Sequence, residues 1–141
     1  MNNMFQPYRS DAFEPWESLS FLVVDDDKCV RDVVAQQLQL DGYFADSASN
    51  GPAALAKLGE RAFDILITDE TMPAMRGAEL ARLVKKKWPA TAVILVTGFG
   101  QEEFPCCPNV DFVLGKPISR SELHTAVAHA QESVLSKVEL C

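Results

Sequence analysis

Five short runs of mainly apolar residues alternate along the chain with segments of helical spacing. The runs cover residues 21–24, 43–48, 64–69, 92–97 and 111–114. A run that is apolar on both faces is typical of a strand buried in a parallel sheet. Between the runs, apolar residues recur every three or four positions, as at Val30, Val34 and Leu38, which predicts amphipathic helices. This alternation predicts an α/β fold, a doubly wound five-stranded parallel sheet with helices on both faces.

Two segments depart from this alternation. Residues 1–18 show no periodicity, so we interpret them as an N-terminal extension and residues 19–141 as the domain. The connection between the fourth and fifth strands, residues 98–110, contains two glycines and two prolines. These residues disfavour a regular helix, and we expect the helix after strand four to be short or irregular.

Composition and charge exclude several classes of function. The chain is 48% hydrophobic and 23% charged, which is typical of a globular protein. Its net charge of −7 argues against a nucleic-acid surface. No apolar run approaches the roughly 18 residues of a membrane helix. The N-terminus lacks the pattern of a signal peptide, so we expect a cytoplasmic protein with no membrane partner.

Polar side chains follow the strands at the points where the strands end. Asp25 and Asp26 follow the first run, Asp69 ends the third, Thr97 ends the fourth, and Lys116 follows the fifth. The carboxyl ends of parallel strands open onto the same edge of a sheet, so these residues are expected to meet in one crevice. Clustered carboxylates repel one another, and Mg²⁺, which prefers oxygen ligands, compensates for that repulsion. The sequence therefore predicts a phosphoryl-binding site with a metal ion and a lysine.

One carboxylate of this cluster is a candidate nucleophile. Asp69 stands alone at its strand end, whereas Asp25 and Asp26 form a pair suited to holding a metal ion. Aspartyl phosphates are known covalent intermediates, and in such transfers the protein mainly positions groups and neutralises charge. We therefore expect Asp69 to accept the phosphoryl group.

From about residue 19 to residue 135 the sequence resembles the receiver domain of two-component response regulators. The matching segments are VVDDD at 23–27, DETMPAMRG at 69–77, VTG at 96–98 and KP at 116–117. The resemblance implies a flavodoxin-like sheet with strand order 2-1-3-4-5. It also implies a signalling module that is not an enzyme beyond its own phosphorylation and dephosphorylation.

The resemblance further implies roles for the candidate residues. Asp69 would take the phosphoryl group from a phosphohistidine on a sensor histidine kinase or a histidine phosphotransfer protein. Thr97 would bond to a phosphoryl oxygen, and Lys116 would pair with the phosphoryl group. The implied Mg²⁺ ligands all offer oxygen atoms: Asp25, Asp26, Asp69 and the backbone carbonyl of Thr71. The output would be altered binding of a downstream protein, and a homodimer is compatible with this reading.

The sequence departs from the family pattern in two places. The family commonly has an aromatic switch residue three positions before the lysine, where this chain has Val113. Phe112 is one position earlier, so strand alternation points it to the opposite face. Arg76 stands where relatives often carry Asp, and we interpret it as a surface charge and Glu70 as solvated.

Two other functional classes remain open at this point. The run ending in Asp25, Asp26 and Asp27 also resembles the start of haloacid-dehalogenase-like phosphatases, in which Asp25 would be the nucleophile. That interpretation leaves the segment 69–73 unexplained. A third alternative is an interaction module of the same fold that works without phosphorylation. Single strand-end aspartates also cap helices, which is the interpretation we favour for Asp27.

Overall fold

The computed structural model describes residues 19–98 and 108–140, with side chains described as far as residue 134. The described residues form one five-stranded sheet in which every strand pair is parallel and the order is β2-β1-β3-β4-β5. The strands are β1 (Ser20–Val24), β2 (Phe44–Ala48), β3 (Ile65–Asp69), β4 (Ala92–Thr97) and β5 (Phe112–Gly115). The predicted fold class and strand order are confirmed.

Four helices connect or follow the strands within the described residues. They are α1 (Lys28–Leu40), α2 (Gly51–Glu60), α3 (Gly77–Lys87) and α4 (Arg120–Leu140). Asp27 caps α1, because its side chain accepts from the backbone N–H groups of Cys29 and Val30. The favoured interpretation of Asp27 as a cap is therefore confirmed.

The sheet separates two apolar layers, which explains why its strands are apolar on both faces. Phe21 and Val23 of β1 belong to the layer that contains the buried residues of α1 and α4. Leu22 and Val24 belong to the layer that contains the buried residues of α2 and α3. Successive residues of a strand point to opposite faces, so a central strand needs apolar side chains throughout.

The strand register sets the position of the polar residues. Val24 of β1 lies opposite Thr68 of β3, and Asp69 lies opposite Val96 of β4. Thr97 in turn lies opposite Gly115 of β5. The residues that end or follow these strands therefore lie along one edge of the sheet.

Two predictions concern residues outside this description. The N-terminal extension, residues 1–18, and most of the connection predicted to be short or irregular, residues 99–107, lie outside the described residues. Within the described part of the chain, no helix has the length and apolar character needed to cross a membrane.

Candidate functional site

Three carboxylates meet at the carboxyl edge of the sheet. Asp25 directly follows β1 and Asp69 is the last residue of β3, and each is 4% exposed. Asp26 is exposed, and one carboxylate oxygen from each of the three residues lies within 4.8 Å of the others. The structure therefore brings together the acidic residues that the sequence predicted to share a crevice.

Lys116 supplies a positive charge to this cluster. Its Nζ atom lies 2.9 Å from Oδ1 of Asp69 and 3.9 Å from Oδ2 of Asp25. The residue follows β5, and its backbone N–H donates to the carbonyl of Thr97 at 2.9 Å. This bond fixes the lysine backbone to the end of β4, so the side chain reaches across to the end of β3.

The electrostatics of the site favour a charged lysine and disfavour an ionised Asp25. Burial raises the pKa of Asp25; the backbone N–H of Asp27 opposes this effect, while the neighbouring charge of Asp69 adds to it. Burial by itself lowers the pKa of Lys116, but the hydrogen bond to Asp69 and the surrounding carboxylates raise it overall. The lysine therefore remains a cation that compensates for part of the negative charge.

The donor atoms of the cluster fit a hard divalent cation. Three carboxylates within 4.8 Å of one another present only oxygen donors, and two of them are buried. The side chain of Lys116 is 35% exposed and can neutralise a single negative charge. Mg²⁺ binds such oxygen ligands and keeps several waters, which the exposed Asp26 side of the cluster permits.

The two threonines of the predicted site follow or end neighbouring strands at this edge of the sheet. Thr97 is the last residue of β4 and is 1% exposed. Thr71 is exposed and lies two residues beyond Asp69, in the loop that leads to α3. Their predicted roles, a hydroxyl donor and a carbonyl ligand, remain predictions.

Glu70 differs from the sequence interpretation, whereas Arg76, whose side chain is 61% exposed, is the surface charge that was expected. Glu70 is 3% exposed and therefore is not solvated, which makes that interpretation wrong. Its Oε2 atom pairs with Nε of Arg76 at 2.8 Å. Opposite charges on either side of the Met72-Pro73 turn were the available sequence signal, but their pairing depends on how the loop closes.

An apolar groove of about 580 Å³ opens beside Lys116, and sequence reasoning missed it. It lies between α1 and the residues that follow β5, and Val33 at its wall is 65% exposed. The lining residues are Cys29, Val30, Val33, Val34, Gly98, Lys116, Pro117 and Ile118. Val33 directly precedes Val34, one of the apolar residues whose spacing predicts α1, but Val34 is buried and Val33 is not.

Comparison with known proteins identifies a family for most of the chain. Residues 21–128 match the family model described as the response regulator receiver domain. The transcriptional regulatory protein ResD of Bacillus subtilis is 37% identical over 81 residues, which cover 57% of this chain and 33% of ResD. The sensor protein EvgS of Escherichia coli is 32% identical over 120 residues, which cover 82% of this chain and 10% of EvgS. The chain thus spans a third or less of these two relatives.

A solved structure shows the same likeness in three dimensions. The response regulator protein TrrA of Thermotoga maritima, crystallised in complex with Mg²⁺ and BeF, has a TM-score of 0.73 and 31% sequence identity. The match covers 79% of this chain and 98% of the TrrA chain.

Proposed function

Since this chain belongs to the receiver domain family of two-component response regulators, we propose that it accepts a phosphoryl group on the carboxylate of Asp69. The observation that carries this proposal is the position of Asp69. Its carboxylate lies 2.9 Å from the Lys116 amine, within a cluster of three carboxylates. A buried nucleophilic carboxylate with a cation beside it suits attack on phosphorus, because the cation offsets the negative charge of the approaching phosphoryl group.

The transfer step is a displacement at phosphorus. An Asp69 oxygen forms the new P–O bond as the P–N bond to the donor imidazole breaks, and the imidazole nitrogen keeps the electron pair and takes up a proton. Lys116 then pairs with the phosphoryl oxygens in place of the free carboxylate. The hydroxyl of Thr97, at the end of the neighbouring strand, donates to one of these oxygens.

The proposed Mg²⁺ site uses the oxygen-rich side of the crevice. Its ligands are the carboxylates of Asp25, Asp26 and Asp69 together with the backbone carbonyl of Thr71. When bound, the ion neutralises negative charge on the transferring phosphoryl group. This compensation would favour the ionised form of Asp25, whose pKa is raised by burial and by its acidic neighbours.

The phosphodonor in this proposal is a sensor histidine kinase or a histidine phosphotransfer protein. A phosphohistidine must reach Asp69 from the open edge of the sheet, so its protein must contact the surface around Lys116. The apolar groove formed by α1, Pro117 and Ile118 supports this docking, because it offers water-excluding contact area beside the site. A relative among sensor proteins, EvgS, is in keeping with this kind of partner.

The rest of the proposal concerns the whole domain. Residues 1–18 form an extension and residues 19–141 the receiver unit, which acts in the cytoplasm as a signalling phosphoprotein and not as an enzyme with a separate substrate. Its output is changed binding of a downstream protein or of a second copy. The net charge of −7 supports a protein partner over nucleic acid.

Intact mass measurement tests the proposal directly. The protein is incubated with Mg²⁺ and a small phosphodonor such as acetyl phosphate, and we expect a gain of one phosphoryl group. Asp69→Asn should abolish the gain, and chelation of Mg²⁺ should prevent it. Asp64→Asn is the matched control: it changes the residue just before β3, at the opposite edge of the sheet, and should retain the gain.

Three results would contradict the proposal. If Asp69→Asn still acquired the phosphoryl group, the acceptor would be another residue. If the protein released phosphate over many turnovers, and Asp25→Asn but not Asp69→Asn stopped the release, the phosphatase alternative would replace it. The absence of any mass gain in the wild-type protein would favour the phosphorylation-independent module.

A further inference from the structure

The start of α3 is capped by a residue outside the helix. Arg76 occupies the N-cap position, and its side chain makes no capping hydrogen bond. Glu70 supplies the cap: its Oε1 accepts from the N–H of Ala78 at 2.8 Å, and its backbone carbonyl accepts from the N–H of Gly77 at 3.0 Å. The first N–H groups of a helix have no partner within the helix. Glu70 accepts hydrogen bonds from two of them, a role that the N-cap residue usually has.

Arg76 completes this arrangement from the solvent side. Its Nε donates to Oε2 of Glu70 at 2.8 Å, while its side chain is 61% exposed and that of Glu70 only 4%. A buried carboxylate is stable when it accepts charge-assisted hydrogen bonds, and the positive end of the helix dipole favours it further. Both oxygens of Glu70 therefore have partners that belong to the start of α3.

The same residue is joined to the phosphoacceptor site through the backbone. Glu70 directly follows Asp69, and its N–H donates to the carbonyl of Val96 at 2.8 Å, one residue before Thr97. A Cβ atom at Gly77 would clash with the carbonyl oxygen of Asp69, so the helix begins in direct contact with the acceptor peptide. The loop from Glu70 to Gly77 therefore has its two ends in contact with each other.

The loop from Glu70 to Gly77 contains a proposed magnesium ligand, the carbonyl of Thr71. Thr71 lies next to Glu70, and the following residue, Met72, is 7% exposed and packs in the layer below the sheet. Thr71 therefore lies between two residues that are held in place, Glu70 by hydrogen bonds and Met72 by burial. Residues that orient a metal ligand typically change metal affinity by 10–100-fold when they are removed.

We propose that Glu70 is a positioning residue of this site, because it caps α3 from the end of β3 and thereby fixes the loop that carries the Thr71 carbonyl. This inference rests on the proposed function, since it concerns the Mg²⁺ site of Asp25, Asp26 and Asp69. Arg76 acts in the same device by holding the Glu70 carboxylate.

Calorimetric titration with Mg²⁺, below the melting temperature of every variant, measures the effect without requiring activity. Glu70→Ala should weaken Mg²⁺ binding by about 10-fold or more and slow phosphorylation by acetyl phosphate by a similar factor. Glu70→Gln should lose less, because its amide oxygen can still accept from Ala78. Glu79→Ala removes a carboxylate from the same helical turn without touching the cap, and should change the Mg²⁺ affinity by less than about 2-fold.

A second substitution tests the cap by moving it. Arg76 has extended backbone angles, φ −76° and ψ 156°, which suit an N-cap aspartate. In the Glu70→Ala background, Arg76→Asp should therefore restore most of the lost Mg²⁺ affinity. With Glu70 present, Arg76→Asp should weaken binding, because two carboxylates would then compete at one helix start.

The results separate this inference from the function on which it rests. If the wild-type protein binds Mg²⁺ and is phosphorylated, but Glu70→Ala keeps both properties within about 2-fold and only melts earlier, Glu70 is merely structural and the inference is wrong. If the wild-type protein neither binds Mg²⁺ nor gains a phosphoryl group, both proposals fail. Should Glu70→Ala not fold, Glu70→Gln and Arg76→Ala decide the question: unchanged Mg²⁺ affinity in both overturns the inference, and a smaller loss in both supports it.

Discussion

The carboxylate of Asp25 is buried among like charges. It is 4% exposed, and burial together with the charges of Asp69 and Asp26 raises its pKa, against the N–H of Asp27 at 2.9 Å and the amine of Lys116. An acid whose pKa is raised by folding is less stable as an anion in the native state than in the unfolded chain. The ionised carboxylate of Asp25 therefore lowers the free energy of unfolding of the metal-free domain.

Asp25→Asn should consequently stabilise the metal-free protein at neutral pH. The amide oxygen can keep the bond from the Asp27 N–H, while the buried charge is removed. We expect the free energy of unfolding to rise by about 1 kcal/mol, the scale of a typical single substitution. Urea denaturation in the presence of a chelator measures this change.

The stability gained by Asp25→Asn should depend on pH. Because the native pKa of Asp25 lies above its ordinary value of 3.8, the penalty is complete at neutral pH and disappears as the carboxyl becomes protonated in both states. The advantage of Asp25→Asn should thus shrink as the pH falls from 7 toward 4. Asp32→Asn is the control, since this exposed carboxylate is paired with Lys28 and should show no gain. A constant difference at all pH values would contradict the explanation.

At the scale of the elements, one ion pair ties α3 to the sheet at the edge opposite the acidic cluster. The Nζ of Lys85 lies 2.8 Å from Oδ2 of Asp111 and 2.7 Å from the carbonyl of Thr91. The same Asp111 oxygen accepts from the N–H of Val93 in β4 at 2.8 Å. This carboxylate lies just before β5 and binds both the start of β4 and the last turn of α3. It therefore ties α3 to the sheet.

Removal of this carboxylate should be costly. The side chains of Lys85 and Asp111 are 15% and 22% exposed, so Asp111→Ala leaves a largely buried ammonium and a backbone N–H without that partner. We expect the free energy of unfolding to fall by about 2 kcal/mol. Lys86→Ala, at the neighbouring exposed lysine, should change it by less than about 0.5 kcal/mol. Equal effects in chemical denaturation would show that the ion pair contributes nothing specific.

At the scale of the whole molecule, the sequence predicts the scaffold better than it predicts the support of the site. The apolar run 64–69 identifies β3 because both faces of a central strand must be buried, and Asp69 is then placed at the common edge. Glu70 shows the limit of this reasoning: a glutamate beyond a strand is ordinarily solvated, and its burial depends on Arg76 and the start of α3. The apolar groove was not predicted for a similar reason: the helical spacing that buries Val34 leaves the adjacent Val33 exposed.

Binding of Mg²⁺ at one edge should stabilise the whole domain. A ligand that binds only the folded state adds RT ln(1 + [L]/Kd), or about 2.7 kcal/mol at a concentration 100 times Kd. For a domain of this size we expect the melting temperature to rise by about 9 °C. NaCl at matched ionic strength is the control for simple screening of the carboxylates. Asp69→Asn should lose most of the Mg²⁺ effect, because the substitution removes a buried negative charge from the proposed metal site. An equal rise with NaCl, or an unchanged rise in Asp69→Asn, would mean that the carboxylates respond to screening and do not bind the ion together.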